Sequence, residues 1–135
     1  MQVEQIYTGC LAHAAYYLEH NGEAAIFDPL REVQPYIDRA NSTNSKIKYV
    51  FLTHFHADFV SGHLDLAKKT GAQIVYGPNA KPAYDIISAE DNQIFKIGDY
   101  SVKVIHTPGH TMESTTYMLI DENGKEYGLI TGDTL

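Results

Sequence analysis

Short hydrophobic runs separated by polar turns predict that strands dominate this chain. Runs of about four to eight residues rich in β-branched and aromatic side chains are typical of strands. Asn21-Gly22 lies between two such runs and is typical of a two-residue hairpin turn, and Gly98-Asp99 predicts a second turn. The predicted strands cover residues 3–7, 14–19, 24–27, 46–53, 73–76, 93–95, 100–106, 115–120 and 127–131.

Two segments show the spacing of a helix instead. Residues 31–40 carry apolar side chains at helical intervals, and Pro35 is tolerated there only if it falls in the first turn. Ser61 is a suitable N-cap for a second helix that runs to residue 70, and Gly71 is a suitable C-cap. Many strands with two helices between them predict a mixed α/β or α+β sandwich.

The composition is that of one folded domain in a reducing compartment. The chain has 135 residues, of which 44% are hydrophobic and 20% charged, and this allows a core and argues against disorder. The formal net charge of -7 disfavours nucleic acid or an anionic membrane as partner. No apolar run approaches the roughly 20 residues that span a bilayer, and the first residues lack the pattern of a signal peptide. Cys10 is the single cysteine, so we expect no disulfide within the chain and a cytoplasmic location.

Residues that can bind a metal recur in three clusters, each where a predicted strand ends. The clusters are HFHAD at 54–58, HTPGHT at 106–111 and TGDTL at 131–135. Neutral imidazole and carboxylate are suitable ligands for zinc, iron and manganese. A single histidine pair could be incidental in a loop. Three clusters at the ends of three strands predict a metal site, because rigid strand ends are where ligands are usually held.

The order of these motifs resembles that of the metallo-β-lactamase superfamily. Finer features, the segments CLAHAAYYLE, THFHADFVSGH and HTPGHTMES, are similar to persulfide dioxygenases, especially the bacterial kind fused to rhodanese domains. Glyoxalase II is a more distant relative with the same scaffold. The resemblance implies an α+β fold, the four-layer αββα sandwich, of which residues 1–135 would be the N-terminal portion. The C-terminal half and possible rhodanese domains would then lie beyond this chain.

One position departs from the superfamily's pattern His-x-His-x-Asp-His. Phe59 stands where the last histidine would be. In two-zinc members that histidine and the preceding aspartate, here Asp58, help to bind a second metal. A phenyl ring cannot ligate, so the second site is impaired. Persulfide dioxygenases use one Fe(II), and the resemblance therefore implies one iron per chain, with zinc as the alternative.

By resemblance, the metal ligands are His54, His110 and Asp133. Two histidines and one carboxylate form the facial triad of non-haem Fe(II) oxygenases. His56 and Asp58 would then serve catalysis by orienting ligands or waters. The implied reaction oxidises a low-molecular-weight thiol persulfide with O₂ to sulfite and thiol, as in sulfide detoxification. Glutathione, coenzyme A and bacillithiol all remain possible as the thiol.

Two other functions stay open at this point. A glyoxalase II-like hydrolase would act on a thioester with two metal ions, and Phe59 argues against it. The other is a non-catalytic fragment of the fold that keeps the ligands. The expected partners are small molecules and O₂ rather than nucleic acid or membrane, and a homo-oligomer is expected.

The other candidate residues are given structural roles. His13 and His20 are predicted on the surface, His63 at the start of a helix, and Cys10 in half-buried packing between strands. Tyr117 follows the HTPGHT cluster and is predicted to pack in the core, with a place in the pocket wall as the alternative.

Overall fold

A computed structural model gives the fold of residues 3–7, 14–29, 32–53, 63–76, 87–106 and 115–130. These ranges contain strands and helices that follow one another in a fixed order. The elements are β1 (Val3–Tyr7), β2 (Ala14–His20), β3 (Glu23–Phe27), α1 (Gln34–Ser42), β4 (Lys46–Phe51), α2 (His63–Thr70), β5 (Gln73–Tyr76), β6 (Ile87–Ser88), β7 (Ile94–Ile97), β8 (Tyr100–His106), β9 (Thr115–Ile120) and β10 (Glu126–Ile130).

The first sheet is mixed and has the strand order β1-β2-β3-β4-β5-β6. Strands β1 to β3 pair antiparallel, whereas β3 to β6 pair in parallel. The β2–β3 hairpin closes at Asn21 and Gly22, whose φ angles are 51° and 82°. Positive φ at both positions is what a two-residue turn of type I′ requires. The parallel pairs need crossover connections, and α1 and α2 lie in the connections on either side of β4.

The second sheet is an antiparallel meander with the strand order β10-β9-β8-β7. Burial alternates along β8, where Tyr100, Val102 and Val104 are buried and the residues between them are partly exposed. A period of two means that one face of this sheet packs against the core. The opposite face carries Ile94, Tyr127 and Leu129, whose exposed fractions are 53%, 54% and 57%.

Two buried clusters define the layers. The first cluster joins the helices to the first sheet and includes Tyr36, Leu66 and Val50. The second lies between the two sheets and includes Phe51 and Leu119. The described ranges therefore form three layers in the order helix, sheet, sheet. None of the helices in these ranges is long and apolar enough to cross a membrane.

All nine predicted strands are present, and several bounds need correction. Strands β1, β5, β8 and β9 have the predicted bounds. Strand β4 ends at Phe51 rather than at residue 53, because the Thr53 N–H donates to the Asp28 carboxylate and not to a neighbouring strand. Strands β7 and β10 are each displaced by a residue or two from their predicted positions. Strand β6 was not predicted, since two residues show no periodicity.

Helix α1 begins later than predicted, and the predicted start of α2 lies outside the described residues. Helix α1 starts at Gln34 instead of residue 31 and places Pro35 in its first turn, where the missing N–H has no cost. Helix α2 is described from His63, while the predicted cap Ser61 lies outside the described residues. Gly71 ends α2 as predicted, with φ of 77° and its N–H donating to the Ala67 carbonyl.

His20 joins the two sheets and is not the surface residue that the sequence predicted. Its ring stacks on Tyr100 with centroids 3.9 Å apart, and its Nδ1 accepts a hydrogen bond from the Asp99 N–H over 3.0 Å. The side chain is only 19% exposed, and its Nε2 lies 3.7 Å from the Glu122 carboxylate. A histidine at a hairpin end is expected on the surface unless another turn covers it, and here the β7–β8 turn does so.

Candidate metal centre

The predicted site residues all lie outside the described residues. They are the proposed ligands His54, His110 and Asp133 and the proposed supporting residues His56 and Asp58. Phe59, Cys10 and His13 lie outside them as well. Within the ranges that the structure describes, no three His, Cys, Asp or Glu side chains are grouped so that they could hold a metal ion. The described part of the site is therefore the set of strand ends from which the three motifs continue.

These strand ends lie at one edge of the sandwich. In the second sheet His106 pairs with Thr115 and Ile130 pairs with Tyr117, so the ends of β8 and β10 flank the start of β9. The Thr115 N–H donates to the Thr53 carbonyl over 2.8 Å, which brings the end of the β4 segment to the same edge. HFHAD, TPGHT and TGDTL each begin immediately after one of these ends. The topology thus places the starting points of the three motifs together, while the positions of the ligands stay a prediction.

A buried carboxylate fixes the backbone immediately before HFHAD. Asp28 follows β3, is 3% exposed and has a φ of 52°. Its Oδ1 accepts from the Thr53 N–H at 2.9 Å and its Oδ2 accepts from the Thr53 hydroxyl at 2.6 Å. The Asp28 N–H in turn donates to the Phe51 carbonyl at 2.9 Å. Asp28 therefore holds Thr53 by two side-chain bonds and Phe51 by one backbone bond, and bonds to a carboxylate are among the stronger ones.

Tyr117 makes a second connection to the same segment, from the other sheet. Its hydroxyl donates to the Leu52 carbonyl over 2.6 Å, and its side chain is fully buried. Burial raises the pKa of this phenol well above its ordinary value, and the Asp28 carboxylate raises it further, so the hydroxyl stays protonated and remains a donor. Tyr117 is thus a core residue, as predicted, and the alternative place in a pocket wall is wrong because no part of it is exposed.

Aromatic rings fill the space between the sheets beneath this edge. The Phe51 ring stacks on Phe27 with centroids 4.9 Å apart and meets Tyr117 at 5.0 Å. Phe95 contacts Phe51 edge-on at 5.5 Å and Tyr49 at 5.1 Å. Offset and edge-on contacts at these distances are favourable beyond the area they bury. The strand ends therefore lie above a buried and closely packed aromatic cluster.

The end of β8 is fixed in a similar way. The His106 N–H donates to the Asp91 carboxylate over 2.9 Å, and the Asn92 N–H donates to the Val104 carbonyl over 2.7 Å. The turn before β7 therefore holds the last residues of β8. In the sequence, TPGHT follows directly after this fixed strand end.

Asp28 is the residue of this edge whose role sequence reasoning missed. From the sequence it is predicted only to end the hairpin with Pro29. The available signal was a lone carboxylate directly after the apolar run AAIF, because an acid next to a buried strand needs a hydrogen-bond partner. Its partner Thr53 lies on another strand, and no local pattern could name it.

The family model described as the metallo-beta-lactamase superfamily matches residues 8–135. This chain belongs to the metallo-beta-lactamase superfamily. The motif order HFHAD, TPGHT and GDTL that predicted it lies within the matched range.

Curated relatives in the metallo-beta-lactamase superfamily carry the name hydroxyacylglutathione hydrolase. The protein from Rhodopseudomonas palustris (strain BisB5) is 31% identical over 131 residues, which cover 93% of this chain and 49% of the relative. The protein from Rhizobium etli is 38% identical over 102 residues, which cover 73% of this chain and 39% of the relative. The chain thus spans about half the length, or less, of these relatives. Their name is that of the hydrolase kept above as the alternative function.

Solved structures share the fold. A metallo-beta-lactamase from Staphylococcus aureus subsp. aureus COL matches with a TM-score of 0.85 and 34% identity over 97% of this chain and 42% of that chain. ETHE1 from Myxococcus xanthus matches with a TM-score of 0.78 and 24% identity over 88% of this chain and 54% of that chain. The second likeness concerns the fold alone. The predicted metallo-beta-lactamase-like sandwich is confirmed, with this chain corresponding to part of it.

Proteins of the metallo-beta-lactamase superfamily bind metal ions, and the donor chemistry of this chain fits such an ion. Imidazole and carboxylate donors follow three strand ends that the structure holds together by the Thr115–Thr53 and Tyr117–Leu52 hydrogen bonds. Donors from three separate strands need a common and rigid base to converge on one point, and this edge provides it.

Proposed function

We propose that this chain is the metal-binding half of a one-iron enzyme that oxidises a low-molecular-weight thiol persulfide with O₂. The observation that carries the proposal is Phe59, which stands where the superfamily's pattern has a histidine for a second metal. By resemblance to persulfide dioxygenases, the iron ligands are His54, His110 and Asp133, two imidazoles and one carboxylate. This donor set is typical of Fe(II) centres that leave adjacent coordination positions open.

The reaction balances with these components alone. One persulfide anion, one O₂ and one water give one thiol and one hydrogensulfite ion. The S–S bond breaks, the persulfide supplies the four electrons that O₂ accepts, and no further oxidant is required. Iron in this site would supply a place where the persulfide sulfur and O₂ meet.

The chain's own residues would hold that place rigid and dry. Asp28 and Tyr117 fix the backbone that leads into His54, through their bonds to Thr53 and Leu52. The buried aromatic rings below the edge exclude water from the underside of the site. His56 and Asp58 would orient ligands or waters.

A second candidate is thioester hydrolysis, and the curated relatives favour it. A relative named hydroxyacylglutathione hydrolase is 31% identical over 93% of this chain. Both candidate substrates are derivatives of a small thiol with the reacting group attached to sulfur. The two functions therefore differ mainly in metal content and in the need for O₂.

Metal analysis combined with two assays separates the candidates. We expect full-length protein purified without oxygen to contain about one iron per chain, because two imidazoles and one carboxylate suit a single Fe(II). It should consume O₂ with glutathione persulfide, in a one-to-one ratio with the sulfite formed. Two zinc ions per chain and hydrolysis of a hydroxyacylglutathione thioester without O₂ uptake would overturn the proposal in favour of the second candidate.

A matched variant tests the role of Phe59 directly. Phe59→His restores the superfamily's pattern, so it should raise zinc uptake towards two ions per chain and lower the rate of persulfide oxidation. The packing cost of exchanging two rings of similar size is on the order of 1 kcal/mol. Unchanged zinc uptake would mean that Phe59 is not what limits the second site.

A further inference from the structure

Tyr117 belongs to the second sheet, yet its hydroxyl bonds to the first. The phenol donates to the Leu52 carbonyl at 2.6 Å and lies 3.4 Å from the Val75 carbonyl. The Leu52 N–H also donates to the Val75 carbonyl, over 3.0 Å. The hydroxyl thus reaches the point where the parallel strands β4 and β5 separate, directly before Thr53. One atom of the second sheet therefore sets the position of the last residues of β4 relative to β9.

Packing alone does not require this hydroxyl. The Tyr117 ring lies 5.0 Å from the Phe51 ring and 5.7 Å from the Phe27 ring, measured between centroids. Phenylalanine already fills neighbouring positions of the same cluster, and its ring would make the same contacts. A fully buried hydroxyl costs free energy unless it is bonded, so its presence indicates that the bond to Leu52 has a purpose beyond filling space.

The segment that Tyr117 holds leads directly into the first metal motif. Leu52 accepts from Tyr117, and Thr53 accepts from the Thr115 N–H and donates to Asp28. Both cross-sheet bonds come from β9, whose start also lies beside the ends of β8 and β10. A shift of β9 would therefore move the ends of β4, β8 and β10 together, whereas loss of the Tyr117 bond would free the Leu52 carbonyl alone and leave Thr53 bonded to Thr115 and Asp28.

We propose that Tyr117 is a positioning residue for the metal centre, whose hydroxyl fixes the direction in which the chain leaves Leu52 and Thr53 towards His54. The inference rests on the proposed function only in that His54 is taken as a metal ligand. Tyr117 does not touch the metal or the substrate, since it is buried within the sandwich. It acts through the backbone of Leu52. Loss of a residue bonded directly to a ligand typically costs about 10-fold to 100-fold in metal affinity, so we expect the lower end of that range for Tyr117.

The test compares two tyrosines of the same core in the full-length protein. Tyr117→Phe removes the hydroxyl at the site edge. Tyr100→Phe removes a hydroxyl from the same inter-sheet cluster at the opposite end of β8. Metal-free protein is titrated with Co²⁺, whose visible absorption reports the geometry of its ligands, and thermal unfolding is measured in parallel. We expect Tyr117→Phe to weaken Co²⁺ binding by about 10-fold or more and to change the absorption spectrum, while Tyr100→Phe keeps both.

A rescue experiment keeps the inference testable if Tyr117→Phe is unstable. Replacement of Tyr117 by 4-aminophenylalanine keeps an N–H donor at the ring end and should bring the Co²⁺ spectrum back towards the wild type. If Tyr117→Phe and Tyr100→Phe bind Co²⁺ alike, or if the amino ring gives no recovery over Phe, Tyr117 is a packing residue and the inference is wrong.

His54→Ala separates failure of this inference from failure of the proposed function. If His54→Ala binds Co²⁺ as tightly as the wild type, the ligand assignment itself is wrong. If His54→Ala loses Co²⁺ while Tyr117→Phe keeps it unchanged, the metal site stands and only the positioning role of Tyr117 is overturned.

Discussion

Each proposed ligand would connect the end of a different strand to the same ion. Removal of a ligand should therefore reduce metal retention more than removal of a residue beside it. Removal of His54, His110 or Asp133 leaves two ligands, too few to retain labile Fe(II). His56 would act on a ligand or a water and not on the metal, so its loss should cost about 10-fold to 100-fold in affinity. We therefore expect the three ligand-to-Ala variants to lose iron and His56→Ala to keep a measurable amount, in elemental analysis of full-length protein.

The opposite ranking would identify a different kind of site. In a zinc hydrolase of this scaffold His56 would bind the metal beside His54 and His110. If His56→Ala loses metal as completely as His54→Ala, the one-iron assignment is wrong and the result favours the zinc hydrolase. Circular dichroism of each variant serves as control, because a ligand change that unfolds the chain would lose metal for another reason.

The sequence predicts residues of this site only where their chemistry is local. HFHAD and HTPGHT are recognisable because potential ligands stand close together in the chain. Asp28 and Tyr117 do not belong to such clusters, and no local pattern names their partners Thr53 and Leu52, which are distant in sequence. Their roles depend on which strand ends meet, and this becomes visible only when both sheets are assembled.

At the scale of elements, the two turns that face each other across the sheets depend on a glycine. Gly98 lies in the β7–β8 turn with a φ of 58°, and a Cβ there would come 2.5 Å from the His20 carbonyl oxygen. The Gly98 N–H donates to the Glu23 carboxylate over 2.7 Å. The absence of a side chain therefore lets this turn approach the β2–β3 hairpin, and Glu23 secures the contact.

This contact predicts a pH dependence of stability. The Gly98 hydrogen bond lowers the pKa of Glu23 below its ordinary value, partial burial opposes it, and the Lys48 ammonium at 3.4 Å lowers it further. A lowered carboxyl pKa contributes stability that is present above the pKa of the unfolded chain, about 4.3, and is lost as the pH falls through the pKa of the folded state. We expect Glu23→Gln to flatten the fall of the unfolding free energy in this acidic range, measured by urea denaturation of full-length protein.

The matched control for that experiment is Glu126→Gln. It removes the same charge from β10, where Glu126 is exposed. Its effect on the acid slope should be smaller than that of Glu23→Gln. Equal slopes for the wild type and Glu23→Gln would show that the charge of Glu23 does not contribute to stability in this range.

Elements with local causes are predicted well and elements with tertiary causes are not. The Asn21-Gly22 turn and the bounds of β5, β8 and β9 follow from local pattern alone. The two-residue strand β6 exists only because it pairs with β5, and β4 stops early because Asp28 takes the N–H of Thr53. Both outcomes depend on a neighbouring strand that the local sequence does not specify.

At the scale of the whole molecule, both faces of the first sheet are covered within the described ranges, whereas the outer face of the second sheet is not. The first sheet is covered by α1 and α2 on one face and by the second sheet on the other. The outer face of the second sheet carries Leu129 paired beside Met118, with Tyr127 next to them. The superfamily's αββα arrangement puts a helical layer on such a face. The order of the motifs predicted this four-layer arrangement, whereas the hydrophobic pattern alone predicted only a mixed sandwich.

The 135-residue chain by itself should therefore associate or unfold readily. Tyr127 and Leu129 are more than half exposed on the edge strand β10, and apolar surface contributes about 25 cal/mol per Å² only when it is removed from water. Edge strands with apolar side chains also pair readily with other chains. Sedimentation of the isolated chain should show concentration-dependent association, and Leu129→Lys should reduce it, since a charge on the face disfavours burial. Ser101→Lys puts the same charge at a partly exposed polar position of the same sheet, without removing an apolar side chain, and is the control. Sedimentation as a monomer with a high and cooperative unfolding temperature would mean that this face needs no covering layer, and the αββα layering would then not explain its exposed side chains.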